Sequence, residues 1–207
     1  MMPKQTIALF VKPPIPGQVK TRLAKDIGNQ VACDIYYRLA DHTVQQVQTS
    51  GYPLALFYDG QDLDVLPEQW KKSAQVVCVP QQGNDLGKRM TAAFSCLFAV
   101  GIEQVVLIGS DIPGIDAAYL SQAFDLLADH PMVIGPALDG GYCLIGFNSS
   151  NFTESVFQNI PWSTNRVLEL TLFAVKQAGL SVGLMSPLRD IDTAEDLQYY
   201  NKMIQID

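Results

Sequence analysis

Short apolar runs alternate with stretches of helical periodicity along most of the chain. Thr6–Val11 is an unbroken run that predicts a first strand. Val31, Ile35, Leu39, Thr43 and Val47 recur at four-residue spacing and predict a helix face ending near Gly51. Pro53–Tyr58 predicts a second strand, closed by Asp59-Gly60, and Ala74–Val79 a third. Leu86, Met90, Ala93, Phe94 and Leu97 mark the next helix. Val105–Gly109 predicts a fourth strand, and its uniformly apolar character places it in the centre of a sheet.

In the second half Asp116 is placed to cap a helix carrying Leu120, Phe124 and Leu127. Met132–Pro136 and Tyr142–Phe147 read as strands separated by Asp139-Gly140-Gly141. Ser163 or Thr164 is expected to cap a helix with Val167, Leu168, Thr171, Leu172 and Val175 that stops at Gly179. Ser181–Met185 is a last strand, and Asp192-Thr193-Ala194-Glu195 has capping-box spacing before a C-terminal helix. Strands alternating with helices of this length predict one α/β domain over 1–207, with a largely parallel sheet between two helical layers. The Pro/Gly-rich stretches Pro13–Gly17 and Gly109–Gly114 each follow a strand, at the carboxyl edge where open α/β sheets bind ligands.

The composition narrows the function. With 207 residues, 48% of them apolar, the chain can bury a core without covalent staples. Its 14 Lys and Arg against 21 Asp and Glu give a formal charge of −7, which argues against nucleic acid or an anionic bilayer as partner. The four Cys lack C-x-x-C spacing and only His42 and His130 accompany them, so a zinc site is not expected. The Thr6–Val11 run is too short for a signal peptide and no apolar stretch is long enough to span a membrane, which predicts a cytoplasmic protein.

Candidate chemistry lies in the loops. Lys12, Lys20, Arg22 and Lys25 bring together basic side chains in a loop stiffened by Pro13, Pro14 and Pro16, suited to phosphate oxygens or, equally, a solvated turn. The loop contains neither a Walker A sequence nor G-x-G-x-x-G. The two amides Gln81 and Gln82, with Gly83 and Arg89, could read a base edge and a phosphate, while Asn84 or Asp85 suits a helix cap. Asp111 follows the central strand, where a carboxylate suits Mg²⁺ held together with substrate phosphates; an Asx-turn ahead of Pro113 is the plainer alternative. Asp139-Gly140-Gly141-Tyr142 serves either a close ligand approach or a tight hairpin. Asp190 and Asp192 alternate along an extended segment, so Asp192 could complete a metal site with Asp111 or simply cap a helix. The absence of a G-x-S-x-G elbow, and of a base beside any Cys, gives nucleophilic hydrolysis little support.

Taken in order, Phe10-Val11-Lys12-Pro13-Pro14, Pro16-Gly17, Lys20-Thr21-Arg22-Leu23, Gln82-Gly83, Leu86-Gly87, Arg89, Gly109-Ser110-Asp111-Ile112-Pro113, Gly135-Pro136-Ala137, Asp139-Gly140-Gly141-Tyr142 and Asp190-Ile191-Asp192-Thr193 resemble the DUF2064 family of bacterial glycosyltransferases in the GT-A superfamily. The chain is more distantly similar to molybdenum-cofactor and phospholactate guanylyltransferases. The resemblance implies a nucleotide-diphospho-sugar transferase-like, Rossmann-like three-layer sandwich with a mixed, mostly parallel sheet. It also implies Mg²⁺ or Mn²⁺ as cofactor. Carried onto this chain, it makes Lys12, Gly17, Lys20, Arg22, Gln82, Gly83 and Arg89 nucleotide-binding, and Asp111 and Asp192 metal-binding. Asp139, Gly140, Gly141 and Tyr142 become acceptor-binding, with Lys20, Arg22, Asp111 and Asp139 as the catalytic set. The chain departs from sugar-transferring members of the fold in carrying one Asp, in Gly109-Ser110-Asp111, where they carry D-x-D.

Three functions remain open at this point, sugar transfer leading, nucleotidyl transfer second and binding alone well below both. The first is metal-dependent transfer from a nucleotide-activated sugar to a small acceptor. The second is transfer of a nucleotidyl group from a nucleoside triphosphate to a phosphorylated small molecule, with release of pyrophosphate. The third is nucleotide binding without turnover.

Overall fold

The computed structural model describes residues 4–72 and 76–204. Seven strands run β1 Gln5–Val11, β2 Leu54–Tyr58, β3 Val76–Pro80, β4 Gln104–Ile108, β5 Met132–Pro136, β6 Tyr142–Asn148 and β7 Val182–Leu184. They form one sheet in the order β3-β2-β1-β4-β6-β5-β7. All neighbours pair in parallel except β6, which runs antiparallel to both β4 and β5. Ala74 and Gln75, the start of the expected third strand, lie outside the described residues.

The helices are α1 Thr21–Ile27, α2 Asn29–Ser50, α3 Glu68–Lys71, α4 Leu86–Ala99, α5 Ala117–Asp129, α6 Val167–Gln177 and α7 Ala194–Ile204. Alternate strand residues face opposite helical layers, as the period of two requires. Ile7, Leu9 and Val11 of β1 pack with the buried faces of α2 and α5, whereas Ala8 packs with α4 and α6 on the other side. The architecture is thus the expected α/β sandwich with a mixed, mostly parallel sheet. β4, apolar from Val105 to Ile108, lies in its interior, between β1 and β6.

Local differences have local reasons. The buried face of α2 is Ala32, Cys33, Tyr36, Leu39, Ala40, Thr43, Val44 and Val47, and Val31 is 50% exposed. A strict four-residue spacing drifts around a helix of 3.6 residues per turn, so the stripe must alternate threes and fours. The helix expected to be capped by Ser163 or Thr164 starts at Val167 behind Arg166, with no side-chain cap. Thr164 Oγ1 instead donates to the carbonyl of Pro161, and Ser163 adopts φ +65°. Asp192 is not the cap of α7. The Asp196 amide donates to Thr193 Oγ1 at 3.2 Å, and the Asp196 carboxylate accepts from the Thr193 amide at 3.0 Å. The reciprocal box is therefore Thr193 with Asp196, one residue later than expected, and Asp192 is left for other partners.

The sheet's connectivity diverges at one point. From β1 the chain passes outward through β2 to β3, then returns to β4 on the far side of β1. Such a reversal leaves a crevice at the carboxyl ends of β1 and β4 that no crossover covers. The Pro-rich loop and Gly109-Ser110-Asp111 both leave strands there.

Candidate active site

The loop after β1 is built to hold its shape. Pro16 and Gly17 are the central residues of a turn closed by the Gln18 amide on the Ile15 carbonyl at 3.0 Å, and Gly17 has φ +81°. A type II turn places Pro and Gly at these two positions, because the second needs a positive φ. Val19 is buried and anchors the far side. Lys20 then enters α1 in the left-handed region, at φ 46° and ψ 44°. A non-glycine residue held there carries backbone strain of roughly 1–3 kcal/mol.

That strained backbone carries the central contact of the site. Lys20 Nζ donates to Asp111 Oδ2 at 2.8 Å and to Asp192 Oδ1 at 2.7 Å. The Lys20 side chain is 3% exposed, while the carboxylates are about one-third exposed and face the crevice. Burial disfavours the ammonium, but the two carboxylates outweigh it, so the Lys20 pKa lies above its ordinary value. Arg22 reaches Asp192 at 3.8 Å from an exposed position.

Around this centre lies a cleft of about 700 Å³. Its walls include Lys12, Lys20, Arg22, Arg89, Asp111, Asp139 and Asp192 from the expected set, with Tyr36, Gln81, Ser110 and Ser163. Arg89 is fixed by Asp59 Oδ1 at 3.2 Å, Gln81 Oε1 at 3.3 Å and the Gly83 carbonyl at 3.2 Å. Asp85 caps α4 through the Lys88 amide at 2.8 Å. Asp139 accepts from the Gly141 amide at 2.8 Å in the β5–β6 hairpin, with its side chain on the cleft wall. Asp190 is half-buried and is not among the wall residues. Burial first, then Asp139, Asp192 and Asp111, push its pKa up to about 6.

Gly17, Gln82, Gly83, Gly140, Gly141 and Tyr142 are not among the wall residues. Gly83 and Gly140 serve packing. A Cβ on Gly83 would lie 2.8 Å from the Arg89 amide nitrogen, and one on Gly140 2.3 Å from the Asn165 carbonyl oxygen. Tyr142 turns into the core, where its hydroxyl meets Met90 Sδ at 3.9 Å and its ring meets Trp162 edge-on. Burial raises its pKa well above the ordinary phenol range.

Sequence reasoning missed Tyr36 and Ser163, whereas Gln81 belongs to the second candidate loop. The buried Tyr36 hydroxyl accepts from the Lys12 amide at 2.7 Å and lies 3.1 Å from the Lys12 carbonyl and 3.2 Å from Ser110 Oγ. It ties the basic loop to the end of β4, and its own burial drives its pKa up to about 12. A tyrosine on the apolar face of α2 was the available signal, because a buried phenol needs a partner. Gln81 donates to the carbonyls of Val11 and Phe57, across the ends of β1 and β2.

A family model described as "Uncharacterized protein conserved in bacteria (DUF2064)" matches residues 43–164, more than half of the chain. The chain belongs to the DUF2064 family. Among solved structures, this DUF2064 member is similar to a protein from Desulfovibrio desulfuricans described as a "putative nucleotide-diphospho-sugar transferase". The two are 37% identical with a TM-score of 0.90, over 98% of this chain and 88% of that one. A 4-diphosphocytidyl-2C-methyl-D-erythritol synthase from Anaerococcus prevotii superposes with a TM-score of 0.64 at 12% identity, over 98% and 99% of the two chains. A cytidylyltransferase from Leptospira borgpetersenii gives 0.63 at 15% identity, over 100% and 88%. At these identities the last two share the fold. No curated protein matches the chain. Among the described residues, no helix is long and apolar enough to cross a membrane.

Proposed function

We propose that this DUF2064 protein is a transferase acting on nucleotide-activated small molecules or their precursors, and specifically one that transfers a nucleotidyl group from a nucleoside triphosphate to a phosphorylated small acceptor. The observation that carries the reading is the convergence of Asp111 and Asp192 on one cation, Lys20 Nζ, beside a stiff basic loop at the sheet's switch point. Nucleotidyl transfer is favoured over sugar transfer by the four cations on the cleft wall, Lys12, Lys20, Arg22 and Arg89, which match the higher charge of a triphosphate. The single Asp after β4, and the nucleotidyl-transferring fold relatives, support the same choice. The relative described as a nucleotide-diphospho-sugar transferase keeps sugar transfer as the second reading.

Asp111 and Asp192 suit a divalent ion, because their oxygens already surround one cation and hard oxygen ligands match Mg²⁺ or Mn²⁺. Among the described residues no group of three or more His, Cys, Asp or Glu is gathered for an ion, so phosphate oxygens and water would complete the shell. The ion, when bound, would offset charge on the transferring and leaving phosphates. Lys12, Lys20 and Arg22 hold the triphosphate in line with the acceptor and stabilise the departing pyrophosphate. A phosphate oxygen of the acceptor forms the new bond to the α-phosphorus as the bond to pyrophosphate breaks, and the electron pair leaves with pyrophosphate. Asp139, with Ser163 on the same cleft wall, orients the acceptor; a phosphate nucleophile needs no base at neutral pH.

The test is a panel of nucleoside triphosphates with Mg²⁺ and phosphorylated sugars or hydroxy acids, read for pyrophosphate, beside a panel of nucleotide-sugars read for nucleoside diphosphate. Pyrophosphate formed only with an acceptor present supports the reading. Nucleoside diphosphate released from a nucleotide-sugar, with no pyrophosphate from any triphosphate, would overturn it in favour of sugar transfer.

A further inference from the structure

Asp111 and Asp192 hold a cation supplied by the chain itself. Both oxygens lie within 2.8 Å of a single ammonium nitrogen, and the lysine side chain is 3% exposed. An ion held at about 2.1 Å from the same oxygens would share the ammonium's space. The two cations would also repel at contact distance in a partly buried site. They cannot share these two oxygens.

We propose that Lys20 is the resting occupant of the divalent-cation site, so that a metal ion enters by displacing the Lys20 ammonium, which turns out onto the nucleotide's phosphates when these are present. The inference rests on the reading of Asp111 and Asp192 as metal ligands. Neither half of the exchange is favourable alone. If the ammonium left by itself, the Asp111 and Asp192 carboxylates would face each other with no cation between them. If a metal arrived by itself, a buried ammonium would lose both of its carboxylates with no anion to receive it. A triphosphate beside Lys12 and Arg22 supplies that anion on the same cleft wall. Lys20 is suited to the movement, being a long side chain at the first turn of a seven-residue helix, on a backbone already in the left-handed region. Metal and nucleotide affinities are therefore positively linked through one side chain, and by reciprocity each ligand strengthens the other.

The test begins with Mn²⁺ alone. Lys20→Met keeps the length of the side chain and removes its charge, so nucleotide-free protein carrying it should bind Mn²⁺ roughly ten-fold or more tightly than wild type in calorimetric titration. Adding Asp111→Asn to that variant should remove the gain. A second arm uses the unmodified chain: an amine-acylating reagent, read by peptide mass spectrometry, should spare Lys20 without metal and label it as Mn²⁺ saturates the protein. Wild type binding nucleotide-free Mn²⁺ as tightly as Lys20→Met would overturn the proposal, as would Lys20 staying protected at saturating Mn²⁺. In both cases the metal reading itself would survive. Absence of Mn²⁺ binding in every variant, with or without a nucleoside triphosphate, would overturn that reading and this proposal together.

Discussion

Lys20 Nζ lies 2.7 Å from Asp192 Oδ1, across 172 positions of sequence, and the contact joins the first ligand-edge loop to the last. It is available because α7 is capped by Thr193 and Asp196, which leaves the Asp192 carboxylate facing the cleft.

That division of labour separates two neighbouring substitutions. Thr193→Ala removes the hydroxyl that accepts from the Asp196 amide and should cost about 1 kcal/mol of stability, with nucleotide affinity little changed. Asp192→Asn keeps the cap and should lower metal-dependent nucleotide affinity instead. Urea unfolding and nucleotide titration of both variants check the assignment. Equal loss of stability in both would return Asp192 to the role of a cap.

Asp111→Asn keeps the side-chain size and removes the charge. The fold should persist, while nucleotide affinity in Mn²⁺ falls about ten-fold to a hundred-fold, as for loss of a charge-assisted contact. Calorimetry with and without Mn²⁺ measures the difference. An unchanged metal response would exclude Asp111 as a ligand.

Tyr36→Phe tests the tie between the basic loop and β4. The substitution leaves the Lys12 amide and the buried Ser110 hydroxyl without this partner, and should destabilise by about 1–3 kcal/mol. Denaturant melts give the stability. Nucleotide affinity should also fall, because the loop's entry point is no longer fixed to the strand carrying Asp111.

Gly140 and Gly101 have nearly the same backbone, at φ +91° and +90°, but different surroundings. A Cβ at Gly101 meets nothing within 4 Å, whereas at Gly140 it would lie 2.3 Å from the Asn165 carbonyl oxygen. Alanine should therefore cost about 1 kcal/mol at Gly101, from backbone conformation alone, and more than about 3 kcal/mol at Gly140. Thermal melts of the two variants make the comparison. Similar values would mean that the hairpin tip and the 163–168 segment are not rigidly packed.

The four thiols are free and differ in surroundings. Cys96 is exposed, while burial pushes the Cys143 thiol up to about 12 and its S–H donates to the Gly135 carbonyl at 3.3 Å. Below that pKa Cys143 stays protonated, so at pH 8–9 a disulfide reagent should modify Cys96 quickly and Cys143 only on unfolding. Peptide mapping after timed labelling reads this directly.

The strand and helix pattern was legible in the sequence because each element's burial is written in its own period. Met132–Pro136 appears as read, and Asp116 caps α5 through the Tyr119 amide at 2.7 Å. Asp111 was legible as a candidate because charge after a buried strand is chemically unusual, the basic loop because its cations are concentrated, and Asp192 because it alternates with Asp190 along an extended segment. What the sequence by itself could not determine was which of two compatible partners each polar group takes. Asp192 fits both a cap and a cation site, and Tyr142 both an acceptor wall and a core. Such choices depend on distances between segments far apart in the chain. Only the assembled sheet brought Lys20, Asp111 and Asp192 to one point, buried the Tyr142 hydroxyl against Met90, and set the Tyr36 hydroxyl against Ser110. Local periodicity reports how a segment meets its own core, whereas the pairing of polar side chains is decided when β1 and β4 align and bring their loops to the same edge.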